Sequence, residues 1–287
     1  MTTAPQIIRN IKIEGVDKQP IGLDLFLPAG TKRVPLLVIV HGFKGFKDWG
    51  HYNYIAEEIM KAGVAVCKFN FSHNGVDFDK PEDISLHEMF GNNTYSKEVK
   101  ELSLVLDYLK ASPYKDRLET GSISVAGHSR GGAVAFIGAV EDTRIKKLVL
   151  WAAPFRLDSY FRKESVAQWE KEGKVWVENK RTGEKYPLYK TFLDDYKQNE
   201  KRFHIPGLVH KLSIPLLLLH GDADTVVDLN ESKSYYEAIP HSILIVLEGA
   251  NHTFGSSHPF DIKEHQDPEN LALLIENTLE FVTESFF

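Results

Sequence analysis

Two short segments of alternating apolar and polar positions open the chain, Ile7 to Ile13 and Ile21 to Leu27. The turn residues from Gly15 to Pro20 between them predict an antiparallel pair. Pro35 to Val40 is a continuous apolar run, as expected of a strand buried on both faces. Tyr52 to Ala62 has helical spacing and stops at Gly63, and Val64 to Phe71 follows as another strand. From Ser96 to Lys110, Val99, Leu102, Leu106 and Leu109 share one helical face. Ser122 to Ala126 predicts a strand, Gly131 to Val140 a small-residue helix and Lys147 to Trp151 a strand. Near the end come Ile214 to Leu219 (strand), Glu231 to Ile239 (helix), Ile243 to Leu247 (strand) and Pro268 to Phe281 (helix). Strands alternating with helices imply a mostly parallel sheet with helices on both faces, and such sheets bind ligands at the carboxyl ends of their strands.

The alternation breaks between Pro154 and Lys211. This stretch holds ten of the chain's 32 aromatic residues within 58 positions, so it is far richer in rings than the rest. Inside it, Lys174-Val-Trp-Val-Glu178 and Glu184-Lys-Tyr-Pro-Leu188 flank a turn-like Asn179-Lys-Arg-Thr-Gly183, which predicts a hairpin. A structureless loop of that length is unusual in a compact domain. We therefore expect residues 1–153 and 212–287 to form one core and 154–211 an inserted lid. Trp169, Trp176, Tyr186 and Tyr189 are its candidate substrate-binding rings; the rival reading is that they only pack the insertion down.

Charge and composition narrow the class. The formal net charge is −6 and the pI about 6.1, which gives no reason to expect nucleic acid as a partner. Apolar runs are far shorter than the roughly 20 residues of a membrane span. The first residues carry no basic segment leading into an apolar run, and Cys67 is the only cysteine. A cytoplasmic protein with no membrane attachment is expected, and Cys67 is expected to be a buried core thiol. No metal site is implied, because His-Glu-x-x-His and cysteine clusters are absent, and the phosphate-binding glycine loops of nucleotide cofactors are missing too. No cofactor is expected, and nothing in the sequence decides between monomer and dimer.

The chemistry gathers at strand ends. Gly127-His-Ser-Arg-Gly131 fits G-x-S-x-G between a strand and a glycine-rich helix, the context a nucleophile elbow requires. A serine hydroxyl needs a base within hydrogen-bond reach, and the base needs an orienting acid. Downstream, one strand runs into His220-Gly-Asp-Ala-Asp224 and the next into Glu248-Gly-Ala-Asn-His252, so acid and histidine follow the serine in the order Ser, Asp, His. Asp222 and Asp224 are both candidates for the acid. His252 directly follows a strand, whereas His258 and His265 do not and are expected at the surface. Backbone N–H groups would serve as oxyanion donors, one from Arg130 after the nucleophile. The Arg130 side chain is expected to face solvent or an acid rather than substrate.

These motifs resemble the α/β-hydrolase superfamily over essentially the whole chain. The resemblance to its His-Gly-x-x-Asp-x-x-Val pattern, here His220-Gly221, Asp224 and Val227, implies Asp224 as the acid and Asp222 as a turn former. His41-Gly-Phe-Lys-Gly45 resembles the family's oxyanion loop, which implies Phe43 as the second donor and a bracing role for His41. Within the superfamily the chain is most similar to feruloyl (cinnamoyl) esterases and related small carboxylesterases. The likeness rests on His41-Gly-Phe, Phe71-Ser-His-Asn-Gly75, Gly127-His-Ser-x-Gly-Gly132, Asp224-Thr-Val-Val and Gly249-Ala-x-His. It implies a serine carboxylic-ester hydrolase with catalytic Ser129, Asp224 and His252, acting on a small or aromatic-acid ester. Aminopeptidases, thioesterases and acyltransferases of the same fold use the same triad, and some hydrolase-fold proteins are non-catalytic binders. Branches with an aspartate or cysteine nucleophile are disfavoured by Ser129.

Overall fold

The computed structural model describes residues 4–265 and 267–284. Its main sheet has eight strands: β1 (Gln6–Glu14), β2 (Pro20–Leu27), β3 (Val34–Val40), β4 (Ala65–Phe69), β5 (Leu118–His128), β6 (Ile145–Trp151), β9 (Leu216–Gly221) and β10 (Ser242–Leu247). They lie in the order β1-β2-β4-β3-β5-β6-β9-β10. β2 runs antiparallel to both its neighbours, and every other pairing is parallel. The opening hairpin and the parallel sheet expected from the apolar pattern are both present.

Central strands read as unbroken apolar runs because each face meets its own helical layer. In β3, Leu36, Val38 and Val40 point into a core shared with Val99, Leu102 and Leu106 of α3 (Tyr95–Ala111) and with Val134 and Phe136 of α4 (Arg130–Glu141). Leu37 and Ile39 point the other way, toward Ile55 and Ile59 of α1 (Tyr52–Lys61) and Leu271 and Leu274 of α9 (Pro268–Thr283). β9 repeats the division, with Leu216 and Leu218 on one side and Leu217 and Leu219 on the other. Burying a leucine fully contributes about 1.5–3 kcal/mol, so these alternating positions carry much of the fold's stability.

The strand ends are nearly flush. Val40 pairs with Gly127, His128 with Trp151, Trp151 with Leu219 and Gly221 with Leu247. The loops after β3, β5, β9 and β10 therefore leave the sheet along one edge. A short α2 (His87–Gly91) and the helix α8 (Leu229–Ala238) complete this part.

Between β6 and β9, the chain forms α5 (Lys163–Glu172), the two-stranded sheet of β7 (Lys174–Glu178) and β8 (Lys185–Tyr189), α6 (Lys190–Gln198) and α7 (Glu200–Phe203). β7 and β8 pair antiparallel as the predicted hairpin, from Lys174 opposite Tyr189 to Glu178 opposite Lys185. Cys67 is buried in β4, and that burial pushes its thiol pKa up. Among the described residues no helix is long and apolar enough to cross a membrane.

The loop after β3 is tied to the sheet by buried charges. Lys47 and Lys68 reach Asp24 on β2 at 2.9 and 2.7 Å, and both also contact Asp48. Burial by itself would raise the Asp48 carboxyl, but the two ammonium groups outweigh it and hold its pKa down at about 2, against an ordinary 3.8. A carboxylate depressed on folding contributes stability above its unfolded pKa and loses it as pH falls through the folded one. The melting temperature is therefore expected to hold down to about pH 4 and to fall between about pH 4 and 2. In Asp48→Asn that part of the acid slope should flatten. A thermal melt series across pH checks this, and an unchanged slope counts against the assignment.

Candidate active site

Ser129 sits between the end of β5 and the start of α4, with φ 53° and ψ −129°. A non-glycine residue in such a conformation costs about 1–3 kcal/mol and persists only where its surroundings hold it. Here the Ser129 N–H donates to Trp151 O at 2.8 Å, and Ser129 O accepts from Gly132 N–H at 2.8 Å. The flanking glycines are steric requirements. A Cβ on Gly127 would stand 2.5 Å from Gly131 O, and one on Gly131 would stand 2.5 Å from Val40 O. The tight turn lifts the serine side chain to the sheet's carboxyl edge.

Two later loops complete the arrangement. Ser129 Oγ lies 3.0 Å from His252 Nε2, and His252 Nδ1 lies 2.7 Å from Asp224 Oδ2. The geometry fits Oγ–H donating to Nε2 and Nδ1–H donating to the carboxylate. Asp224 Oδ1 accepts from the N–H groups of Val226 and Val227 at 2.7 and 3.0 Å. His220 Nε2 lies 3.2 Å from Asp224 Oδ2 and 2.9 Å from Val227 O. Burial alone would raise the Asp224 pKa, but the hydrogen bonds from His220 and His252 prevail and hold it far below the usual carboxylate range. Asp222 instead accepts from Gly249 N–H at 2.7 Å, pinning the loop that carries His252.

Several neighbours were invisible to sequence reasoning. His128, the variable residue before the serine, is buried, with Nε2 2.8 Å from His252 O and Nδ1 3.2 Å from Tyr52 Oη. Burial, with His252 nearby, lowers its pKa to about 3, so it remains a neutral brace, donating from Nε2 and accepting from Tyr52. No local pattern signals this, because the partner carbonyl is far away in sequence. His41 behaves as expected of a brace: Nδ1 is 2.9 Å from Gly42 O, and Nε2 accepts from Phe71 N–H at 3.4 Å. His258 departs from the expected surface position. It is half-buried, accepts from Gly50 N–H at 3.1 Å and stacks on Trp49.

A cleft of about 560 Å³ opens over Ser129 and His252. Its walls include Phe43, Trp49, Tyr52 and Tyr160, together with the hairpin turn from Val177 to Arg181. The rings and the polar turn from Glu178 to Arg181 form a mixed wall, in which an apolar surface buries a small molecule and polar groups orient it. The loop carrying Phe43 runs close to the serine: a Cβ on Gly42 would lie 3.1 Å from Ser129 Cβ. Among the described residues neither the Phe43 nor the Arg130 amide has an intramolecular acceptor, and Arg130 is the first residue of α4, where N–H groups lack helical partners. Among the described residues no group of three or more histidine, cysteine or acidic side chains could hold a metal ion.

The four rings expected to bind substrate do not line this cleft, which corrects that expectation. Trp169 is buried beneath the hairpin, donates from Nε1 to Leu188 O at 2.8 Å and packs on Phe161 and Phe192. Trp176 faces solvent, with Lys174 over its ring. Tyr186 is buried against Phe90 and His87, and Tyr189 Oη donates to Glu88 at 2.6 Å. Packing took Trp169 into the core that covers one face of the main sheet and Tyr186 into a smaller cluster with Phe46 and Phe90, and Tyr160 is the ring from this stretch that reaches the cleft.

An eight-stranded, mostly parallel sheet with a strained serine at its strand–helix turn, hydrogen-bonded to a histidine and carboxylate from later loops, defines an α/β-hydrolase. The chain belongs to the BD-FAE family, an esterase-type α/β-hydrolase domain, whose model matches residues 23–239. No curated protein matches the chain. Among solved structures it is similar to Est1E from Butyrivibrio proteoclasticus at 21% identity and a TM-score of 0.68, covering 96% of this chain and 97% of that one. It is also similar to a putative hydrolase from Agrobacterium vitis S4, at 16% identity, a TM-score of 0.71 and coverage of 97% and 99%. An esterase domain from a Rhodothermus marinus protein matches at 20% identity and 0.63, covering 96% and 99%.

Proposed function

We propose that the protein is a serine carboxylic-ester hydrolase that works through an acyl-enzyme on Ser129 and takes small or aromatic-acid esters. The observation that carries this reading is the hydrogen-bonded line from Ser129 through His252 to Asp224 at the floor of the cleft. His252 Nε2 takes the Oγ proton as Oγ attacks the ester carbonyl. The Phe43 and Arg130 N–H groups receive the oxyanion. The imidazolium then passes its proton to the leaving alcohol, and Asp224 stabilises the cation meanwhile. Water, activated by His252, releases the acid by the same route. A cytoplasmic location and a small-molecule partner complete the proposal.

The aromatic-acid preference draws on the rings along the cleft and on the neighbour Est1E, a structure of which has ferulic acid bound. A fluorophosphonate probe is expected to label Ser129 alone, and p-nitrophenyl and feruloyl esters to turn over faster than aminoacyl amides or thioesters. Labelling elsewhere, or absence of turnover by folded protein, overturns the reading.

Residues 154–211 act, in this proposal, as a lid whose selecting elements are Tyr160 and the hairpin turn. Tyr160→Ala should change the ranking of kcat/KM among esters by about 1–3 kcal/mol. Trp169→Ala should cost about 3–5 kcal/mol of stability and leave the ranking intact. A panel of acetyl, butyryl and feruloyl esters, with melts on both variants, separates the two roles.

A further inference from the structure

Arg130 presents a buried charge beside the nucleophile that the mechanism above does not use. Its side chain is 1% exposed. Nε and Nη2 donate to Glu98 Oε2 and Oε1 at 3.1 and 2.9 Å, and Asn93 donates to the same carboxylate at 2.7 Å. The guanidinium also lies 4.6, 4.8 and 4.9 Å from the ring centres of Phe43, Tyr95 and Phe192. Nη1 has no partner among the described residues.

A buried ion pair is weak evidence for stability, because apolar residues of similar volume often do as well or better. An unpartnered N–H adds a further desolvation cost. What this pair does supply is orientation. Glu98 holds the guanidinium through two bonds to its two oxygens, and the guanidinium carbon lies over the Phe43 ring. Phe90 packs on Phe43 in a tilted contact, with ring centres 5.2 Å apart. Burial chiefly, and the nearby Arg130 charge in addition, push His41 down to about 4.

We propose that Arg130, clamped by Glu98, is a positioning residue that holds the Phe43 ring and through it sets the Phe43 N–H in the oxyanion site. The elbow and the oxyanion loop are thereby coupled through one side chain. This inference rests on the proposed esterase reading. It predicts that the Arg130 side chain matters after substrate has bound, as the oxyanion forms.

The test is a double-mutant cycle on p-nitrophenyl acetate hydrolysis by the full chain. Arg130→Met is expected to lower kcat about 30-fold with KM within about twofold, less than the 10²–10³ typical of deleting a donor outright. Arg130→Lys, which keeps the charge but loses the planar fork, should show nearly the same loss. In a Phe43→Leu background either change should cost less than about threefold, because the ring through which Arg130 acts is gone. Additive effects of the Arg130 and Phe43 changes overturn the proposal. So does full rescue by Arg130→Lys, or a fall in melting temperature with kcat retained. If neither Arg130 variant folds, the pair belongs to stability and the proposal also fails. Those outcomes leave wild-type turnover intact and so spare the esterase reading; wild-type protein that hydrolyses no ester removes both.

Discussion

Ser129→Ala will lower kcat/KM for any ester the protein cleaves by about 10⁴- to 10⁶-fold, leaving only what binding and the oxyanion donors provide. The loss follows from the 3.0 Å contact between Oγ and His252 Nε2; among the described residues no other hydroxyl bonds to that nitrogen. Stability separates this result from misfolding. Alanine inherits the φ of 53°, so it should melt close to wild type. Ser129→Gly should lose as much activity yet melt higher, by about 1 kcal/mol or more, because glycine occupies that region without strain. Steady-state kinetics and thermal melts on both variants check the pair. Residual activity above about one per cent in purified Ser129→Ala would remove Ser129 from the role of nucleophile.

Asp224→Asn will reduce kcat about 10⁴-fold, whereas Asp222→Asn will stay within a few-fold of wild type. The asymmetry comes from hydrogen-bond chemistry. His252 Nδ1 donates to Asp224, and an amide there can offer its NH₂ group, which favours the wrong imidazole tautomer and withdraws the charge that stabilises imidazolium. At position 222 the partner is the Gly249 N–H, and an asparagine carbonyl accepts that bond nearly as well. Rate measurements at matched pH decide the matter, and a reversed order would move the acid role to Asp222.

Legibility from sequence followed the range of the interaction concerned. The unbroken run Leu36 to Val40 marks a central strand because both faces of β3 meet cores, and that information lies within the run itself. The elbow was legible in part for the same reason: Gly127 answers to the backbone of Gly131 and Gly132 within the motif, although Gly131 answers to Val40 and His41 on the neighbouring strand and its loop. Between Asp222 and Asp224 the residues alone did not choose; resemblance pointed to Asp224, and the geometry puts that carboxylate against His252. What stayed hidden depends on partners brought together by the fold. His128 gains its bracing contact from the His252 carbonyl, and Tyr186 fills a pocket built by Phe46, Val76 and Ile84 from loops and Phe90 from α2. The aromatic richness of 154–211 was legible, but its purpose was not, because rings that fill a small core and rings that line a cleft have the same composition.

The interior of that segment is continuous with one face of the main sheet. Trp169, Phe192, Leu193, Tyr196 and Phe203 belong to the same cluster as Leu102, Val134 and Phe136, with Tyr95 meeting Phe192 and Phe203 directly. Such a segment has no private melting step. Its helices should give up their amide protons only when the whole molecule opens, while the exposed turn from Lys180 to Gly183, held only by its own local bonds to Asn179, exchanges much sooner. The tip of the hairpin lines the cleft, so under the proposed lid role a crosslink confined to that tip is expected to slow entry and leave the helices beneath it unchanged.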